Sequence, residues 1–538
     1  MAETKGSKEP PSTKQVVCRA LSRVLLQAFI WIHQGFDYIV DIFCNWWYNE
    51  SKRQIVPPVK DPLLLESAVS LAEKIRKKEV RSEEVVKCFI ARIREVNPII
   101  NAVTDECFDE AIEEAQAVDA IVASRSEEEL KREKPFLGVP FTTKDSTACK
   151  GVLHTLGIQA RKDVRADEDS EVVARLKAAG GILLGVTNIP EINMWCESRN
   201  MLHGQTNNPY DTRRTVGGSS GGEACVIAAC GSPLGIGSDI GGSIRLPCFT
   251  CGIFGHKPTT GLTPTRGLTL RTGEEGRTMV SAGPMSRYVQ DLAPLLRVLI
   301  GEDKAVKELQ LDDEVPLANL QVVYSDALGD IRASAMRPDM MEPLMRAVNH
   351  FQEISKLPVR KIHIKNMKYT FRLWHYWILK EPCDFSYELS NRKGRVDFWR
   401  ELPLKLFGMS NFTLAAIVRL AMEAILPVEV PAWAEEKTNS MVKEITEILG
   451  ENGVLLFPSS PMPAMHHYAS FVRPYNFAYF AIFNVLNLPV TQVPMGLNAE
   501  GIPVGIQVVG APNKDRLCLA VAKELQKAFG GYVPPFPV

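Results

Sequence analysis

What this chain lacks excludes several classes of function. It has no surplus of either charge: 62 Lys and Arg stand against 63 Asp and Glu, a formal net charge of −1. No global field therefore draws in nucleic acid. It has no cysteine framework. Twelve cysteines are scattered from Cys18 to Cys518, several among apolar neighbours (Cys88, Cys225, Cys230), as reduced, buried thiols in a reducing compartment would be. Cys248 and Cys251 form a lone CxxC with neither a second pair nor histidines nearby. Two packed core thiols are expected there, and no metal site. The glycine-rich loop is not closed by Gly-Lys-Ser/Thr, since Glu223 follows it, and no strict GxGxxG follows a strand. There is no internal repeat or long low-complexity tract. Asn49-Glu50-Ser51 and Asn411-Phe412-Thr413 match glycosylation sequons, but the cysteine usage does not support a secreted chain.

The most apolar segment lacks an unbroken run of about 18 uncharged residues, the length that crosses a bilayer. Over residues 15–50, Arg19, Arg23, Asp37 and Asp41 interrupt a series that includes Phe29, Ile30, Trp31, Ile32, Phe36, Ile39, Phe43, Trp46 and Trp47. Polar residues recur at helical spacing (Gln15, Arg19, Arg23, Gln27, then Gln34, Asp37, Asp41, Asn45), which draws a narrow polar stripe on an otherwise apolar helix. No small-residue cleavage site follows, so a signal peptide fits poorly. The favoured reading is an amphipathic or membrane-anchoring helix lying in the interface, with Trp31, Trp46 and Trp47 as anchors. A spanning helix and a packed soluble helix stay open. Residues 1–14, polar and proline-bearing, read as disordered. Residues 51–61, with Ile55-Val56-Pro57-Pro58-Val59, read as a stiff linker.

What remains, residues 62–538, has ordinary globular composition: 45% of the chain is apolar and 23% charged, enough for a large core. Residues 63–132 are helical in period, with Ser82 as an expected N-cap. A strand–helix rhythm follows: strand 137–143 ending at Lys144, helix 171–179 closed by Gly180-Gly181, strand 182–186. The C-terminal part repeats it with strands 454–457, 490–495 and 504–509 and a helix over 515–528. This alternation implies an α/β fold: a large mixed, mostly parallel sheet covered by helices on both faces.

The chemistry concentrates in residues 217–247. Gly217-Gly218-Ser219-Ser220-Gly221-Gly222-Glu223 and Gly235-Ile236-Gly237-Ser238-Asp239-Ile240-Gly241-Gly242-Ser243-Ile244-Arg245-Leu246-Pro247 are two Gly-Gly-Ser clusters. Glycine lets backbone N–H groups approach a ligand closely. A serine beside such groups can attack a carbonyl while the amides hold the developing oxyanion. Taken alone, the clusters also fit a tight loop with capping serines. Gly217-Gly218-Ser219-Ser220-Gly221 matches the G-x-S-x-G elbow of α/β-hydrolases, which makes an esterase with Ser219 as nucleophile the alternative. It would need a downstream histidine, for which His466 and His467 are on offer.

The segment Gly217–Pro247 resembles the amidase signature motif nearly position for position. Gly138-Val139-Pro140-Phe141-Thr142-Thr143-Lys144-Asp145-Ser146 is similar to that family's lysine segment, and residues 252–259 and 487–491 to further landmarks. The likeness runs from about residue 63 to the C terminus. Within the family, the N-terminal segment and residues 187–208 look most like fatty-acid amide hydrolases, the second type in particular. The resemblance implies the amidase-signature fold, with a twisted sheet, and a Ser-Ser-Lys triad. Ser243 would be the acylated nucleophile, Ser219 the bridging serine on a cis peptide bond, and Lys144 the base. Ile240, Gly241, Gly242 and Ser243 would supply the oxyanion-hole backbone and Ser220 a supporting hydroxyl. Asn193 falls at a substrate-side backbone contact, although its residue type departs from the family's. Asp239 and Arg245 match structural positions.

Such a triad needs no cofactor. A lysine serves as base only when neutral, and Lys144 ends an apolar strand where burial would lower its pKa. The stretch Leu404–Leu426, charged only at Lys405, Arg419 and Glu423, reads as a core helix or as a membrane-facing portal, and the resemblance favours the portal. Tyr475, Phe477, Tyr479, Phe480 and Phe483 read as core or as acyl-channel lining. The partners expected are a small lipid-like amide and a membrane surface inside the cell. Nucleic acid is not expected, and a homodimer is admitted. A catalytically silent, membrane-attached binding protein is the remaining alternative, against which Lys144, Ser219 and Ser243 stand intact.

Overall fold

The computed structural model describes residues 13–537. By internal contacts the chain forms two units, divided between Asn49 and Glu50. The disorder expected over residues 1–14 falls, but for its last two residues, outside the described residues.

In the first unit the described residues hold one helix, α1 (Thr13–Trp47). Trp31, Ile32, Tyr38, Ile39, Phe43, Trp46 and Trp47 are exposed on it, and the Phe43, Trp46 and Trp47 rings lie against one another with centroids 5.9–6.2 Å apart. Among the described residues no helix is long and apolar enough to cross a membrane.

The second unit begins with a segment that packs rather than bridges. Arg53 Nη2 donates to the Tyr210 carbonyl at 3.2 Å, Gln54 N–H to the Thr212 hydroxyl at 2.8 Å, and Arg92 Nη2 to the Pro57 carbonyl at 2.8 Å. Val56 is fully buried. Helix α2 (Ser82–Ile100) follows. Its cap differs from the expectation: the Asp119 carboxylate, from a neighbouring helix, accepts from the N–H groups of Ser82 and Glu83 at 2.7 and 3.2 Å. The Ser82 hydroxyl is turned inward to the Gly138 carbonyl at 3.1 Å. A partner from elsewhere in the fold takes the orphan donors that a local serine would otherwise serve.

An eleven-stranded sheet forms the centre. Its strands are β1 (Val103–Glu106), β2 (Pro140–Lys144), β3 (Ile182–Thr187), β4 (Leu234–Asp239), β5 (Phe254–Lys257), β6 (Ser281–Ser286), β7 (Gln321–Tyr324), β8 (Arg360–Lys361), β9 (Gly453–Pro458), β10 (Val490–Leu497) and β11 (Pro503–Gly510). In space the order is β1-β3-β2-β4-β6-β5-β10-β11-β9-β7-β8. The sheet is mixed. Parallel pairs occur in two blocks, β3-β2-β4 and β9-β7-β8. An antiparallel run joins them through β6, β5, β10 and β11, where β10 and β11 form a hairpin with a short loop. β2 and β3 are buried along their whole length, as strands covered on both faces are.

Four further helices bear on the site: α3 (Gly221–Ala228), α4 (Arg245–Thr250), α5 (Leu414–Ile425) and α6 (Ala478–Val485). The core consists of one cluster around β2–β4, a second around β9–β11, and a small third that joins α5 (Ala416, Leu420) to Ile192. The 404–426 stretch is divided: Ile417 and Leu420 are buried, whereas Leu406, Phe407, Met409 and Ile425 are exposed. Of the five aromatics near residue 480, Tyr479, Phe480 and Phe483 are core, and Phe477 lines a cavity.

Candidate active site

Strand alternation places Thr142 and Lys144 on one face of β2. Both point toward the start of α3, where the chain turns after Ser219 and Ser220. The Lys144 ammonium nitrogen lies 2.9 Å from Ser219 Oγ and 2.9 Å from Ser238 Oγ, the latter on the neighbouring strand β4. The Gly218–Ser219 peptide bond is cis. Lys144 is fully buried. Burial lowers its pKa to about 7, against the opposing charges of Asp239 and Glu223. Glu223 is buried as well and its pKa rises to about 8, with the hydroxyls of Thr142 (2.6 Å) and Thr187 (2.9 Å) as partners. Gly235 has to be glycine here, because a Cβ would sit 1.8 Å from Glu223 Oε1.

The second serine, Ser243, lies on the turn between β4 and α4. Asp239 shapes this turn. Its carboxylate accepts from the N–H of Gly242 at 2.8 Å and of Ile244 at 3.1 Å. Burial would push this carboxyl up, but the charge and hydrogen bonds of Arg245, the charge of Lys257 and the Asn484 amide hold it well below the usual range. Arg245 Nε meets Asp239 Oδ2 at 3.0 Å, and its other nitrogens reach Phe480 O, Gln507 Oε1 and Asn484 Oδ1 at 2.7–2.9 Å. Gly242 has φ +110°, and a Cβ there would lie 2.4 Å from Phe480 Cβ.

Of the four backbone amides read as an oxyanion cradle, that of Gly242 is committed to Asp239. Those of Ile240, Gly241 and Ser243 donate to no protein acceptor among the described residues. Ser220 lies beneath the turn: its N–H donates to the Ser243 carbonyl at 3.1 Å and its hydroxyl to the Ser238 carbonyl at 3.4 Å. Asn193 has φ +61°. Its side chain accepts from Ser146 Oγ at 3.1 Å and donates to Thr269 Oγ1 at 3.3 Å.

Two chambers meet at this turn. The larger, about 810 Å³, is lined by Ser219, Ser238, Ser243 and a set of ionic side chains. The smaller, about 630 Å³, is chiefly apolar, with Met194, Trp195, Leu246, Trp374, Met422 and Phe477. Asn193, Met194, Ile240, Ser243 and Arg419 belong to both. A molecule with one apolar and one polar arm can therefore span Ser243, with a buried hydroxyl–hydroxyl–amine set beside it.

His466 and His467 do not join Ser219. His466 faces the Arg213 carbonyl at 3.3 Å, and His467 the Thr212 carbonyl at 3.0 Å and Gln205. The esterase alternative loses its base, because Ser219 receives a lysine instead. Ser238 and Glu223 are site residues that the sequence reading quoted without giving them a role. Thr142, two positions before Lys144, was the available signal for Glu223.

The Amidase family model matches residues 84–519. Fatty-acid amide hydrolase 2 of Homo sapiens is 42% identical over 490 residues, covering 89% of this chain and 92% of the human protein. Fatty-acid amide hydrolase 2-A of Danio rerio is 41% identical over the same shares. Among solved structures, a bacterial aryl acylamidase of the amidase signature family superposes with a TM-score of 0.73 at 22% identity, covering 89% of this chain and all of its own. A fatty acid amide hydrolase superposes with a TM-score of 0.71 at 21% identity, covering 95% and 91%.

Proposed function

Since this chain belongs to the amidase signature family and is an amidase, we propose that it hydrolyses fatty-acid amides, with Ser243 as nucleophile, Ser219 as proton bridge and Lys144 as base. One observation carries the reading: a fully buried lysine with its pKa lowered to about 7 lies 2.9 Å from a serine that shares a cavity wall with a second serine. Near neutral pH about half of such a lysine is uncharged. It takes the Ser219 proton while Ser219 takes that of Ser243, and Ser243 attacks the amide carbonyl. The amides of Ile240, Gly241 and Ser243 face the oxyanion. The proton returns through Ser219 to the departing amine, and water cleaves the acyl-enzyme. The apolar chamber takes the acyl chain and the ionic chamber the amine. N-acyl amines and primary fatty amides are the substrate classes.

The exposed aromatics of α1 and the exposed Trp399, Leu406, Phe407 and Met409 support a monotopic position on a membrane surface. A fluorophosphonate probe tests the chemistry. Wild type is to be labelled and Ser243→Ala not; labelling that persists in Ser243→Ala removes Ser243 from its role.

A further inference from the structure

The larger chamber is walled by ion pairs in which two carboxylates are saturated and two guanidinium groups are not. Glu381 accepts from Arg271 Nη2 at 2.7 Å, from the Thr278 hydroxyl at 2.8 Å and from the Met279 N–H at 2.7 Å. Glu388 binds Arg392 through both oxygens at 2.9–3.1 Å. Glu423 pairs with Arg419 Nη2 at 2.8 Å. Yet Arg271 Nη1 and both Nε and Nη1 of Arg419 meet no acceptor, in side chains only 7% and 3% exposed. Among the described residues, eleven buried side-chain polar atoms are without a partner; three belong to this chamber's wall, and all three are guanidinium nitrogens. An unmet buried donor is costly, the more so on a charged group. Exceptions of this kind mark places where something else completes the set. Arg419 is also the one charged side chain common to both chambers, so it stands beside whatever spans Ser243.

Resting on the amide-hydrolase reading above, we propose that the preferred amine portion carries a carboxylate, received by Arg419 with Arg271 behind it: the substrates are N-acyl amino acids. A hydroxyl on the amine would bring a donor as well as acceptors, whereas the three unmet buried atoms of this wall are all donors. A carboxylate brings acceptors alone, in the planar geometry that a guanidinium matches. A primary amide brings nothing that reaches Arg419.

The test uses the full-length protein in detergent and three amides of one acyl chain: N-oleoylglycine, N-oleoylethanolamine and oleamide. Wild type is expected to show its highest kcat/KM on N-oleoylglycine. Arg419→Gln is to reduce the ratio of kcat/KM for N-oleoylglycine over oleamide by about tenfold or more, Arg419→Lys by less, and Arg271→Gln in the same direction. Glu423→Gln removes the competing anion and is to raise the ratio. Fluorophosphonate labelling of each variant confirms a folded site. A ratio unchanged in Arg419→Gln, or lowered equally in Glu423→Gln, overturns the proposal. If wild type cleaves oleamide but not N-oleoylglycine, the carboxylate assignment fails alone. If it cleaves none of the three and takes no label, the amide-hydrolase reading fails with it.

Discussion

Replacing Lys144 by methionine is expected to stabilise the protein at pH 7 and destabilise it at pH 10. Burial moves this lysine from its ordinary 10.5 to about 7, which disfavours its charged form by about 5 kcal/mol. Below pH 7 the folded and unfolded chains both carry the proton, and the folded chain bears the whole penalty. Between pH 7 and 10.5 the unfolded chain holds a proton that the folded chain has released, so stability rises with pH. Methionine removes a penalty of about 4 kcal/mol at pH 7 but only about 1 kcal/mol at pH 10. At either pH it also forfeits the bonds to Ser219 and Ser238, about 1 kcal/mol each. The balance is a gain of about 2 kcal/mol at pH 7 and a loss of about 1 kcal/mol at pH 10. Guanidinium denaturation followed by tryptophan fluorescence at the two pH values measures both. The difference between them is independent of the hydrogen-bond terms, so an effect equal at pH 7 and pH 10 refutes the buried, neutralised lysine.

The same protonation shapes catalysis: kcat/KM on a soluble short-chain amide should rise about tenfold per pH unit below pH 7 and level off above it, and a profile flat from pH 5.5 to 8 contradicts Lys144 as base. Lys144→Ala should slow amide cleavage more than cleavage of the matching ester, whose leaving group needs less protonation; equal losses speak against proton return through Ser219. Asn484→Leu should lower thermal stability and labelling of Ser243 together, since it strips a partner from both Asp239 and Arg245; unchanged labelling at unchanged stability would show that the turn stands without it. Deleting residues 1–49 should reduce co-sedimentation with phosphatidylcholine vesicles severalfold; full retention removes α1 from membrane attachment.

Much of this was legible along the chain. Strand 182–186 and helix 515–528 stand within a residue of Ile182–Thr187 and Asp515–Phe529, because a continuously apolar strand and a strongly amphipathic helix each leave one period to read. Lys144 and Ser219 meet across 75 positions. What escaped was set by the tertiary fold. Asp119 capping α2 in place of Ser82 is a contact between helices. Arg245 meeting Asn484 is a contact between α4 and α6, 239 positions apart. The Gly242 N–H points to Asp239 because of a turn geometry that glycine permits but does not dictate. Arg419 looks in sequence like a stray charge in an apolar helix, and only the chamber walls give it a setting.

The arginine at 245 has a consequence for how the protein is made. The turn bearing Ser243 is clasped by Asn484 and Gln507, which come from the far end of the chain. During synthesis Ser243 therefore emerges long before the groups that set its posture. A premature stop before those late residues leaves the turn without the groups that clasp it.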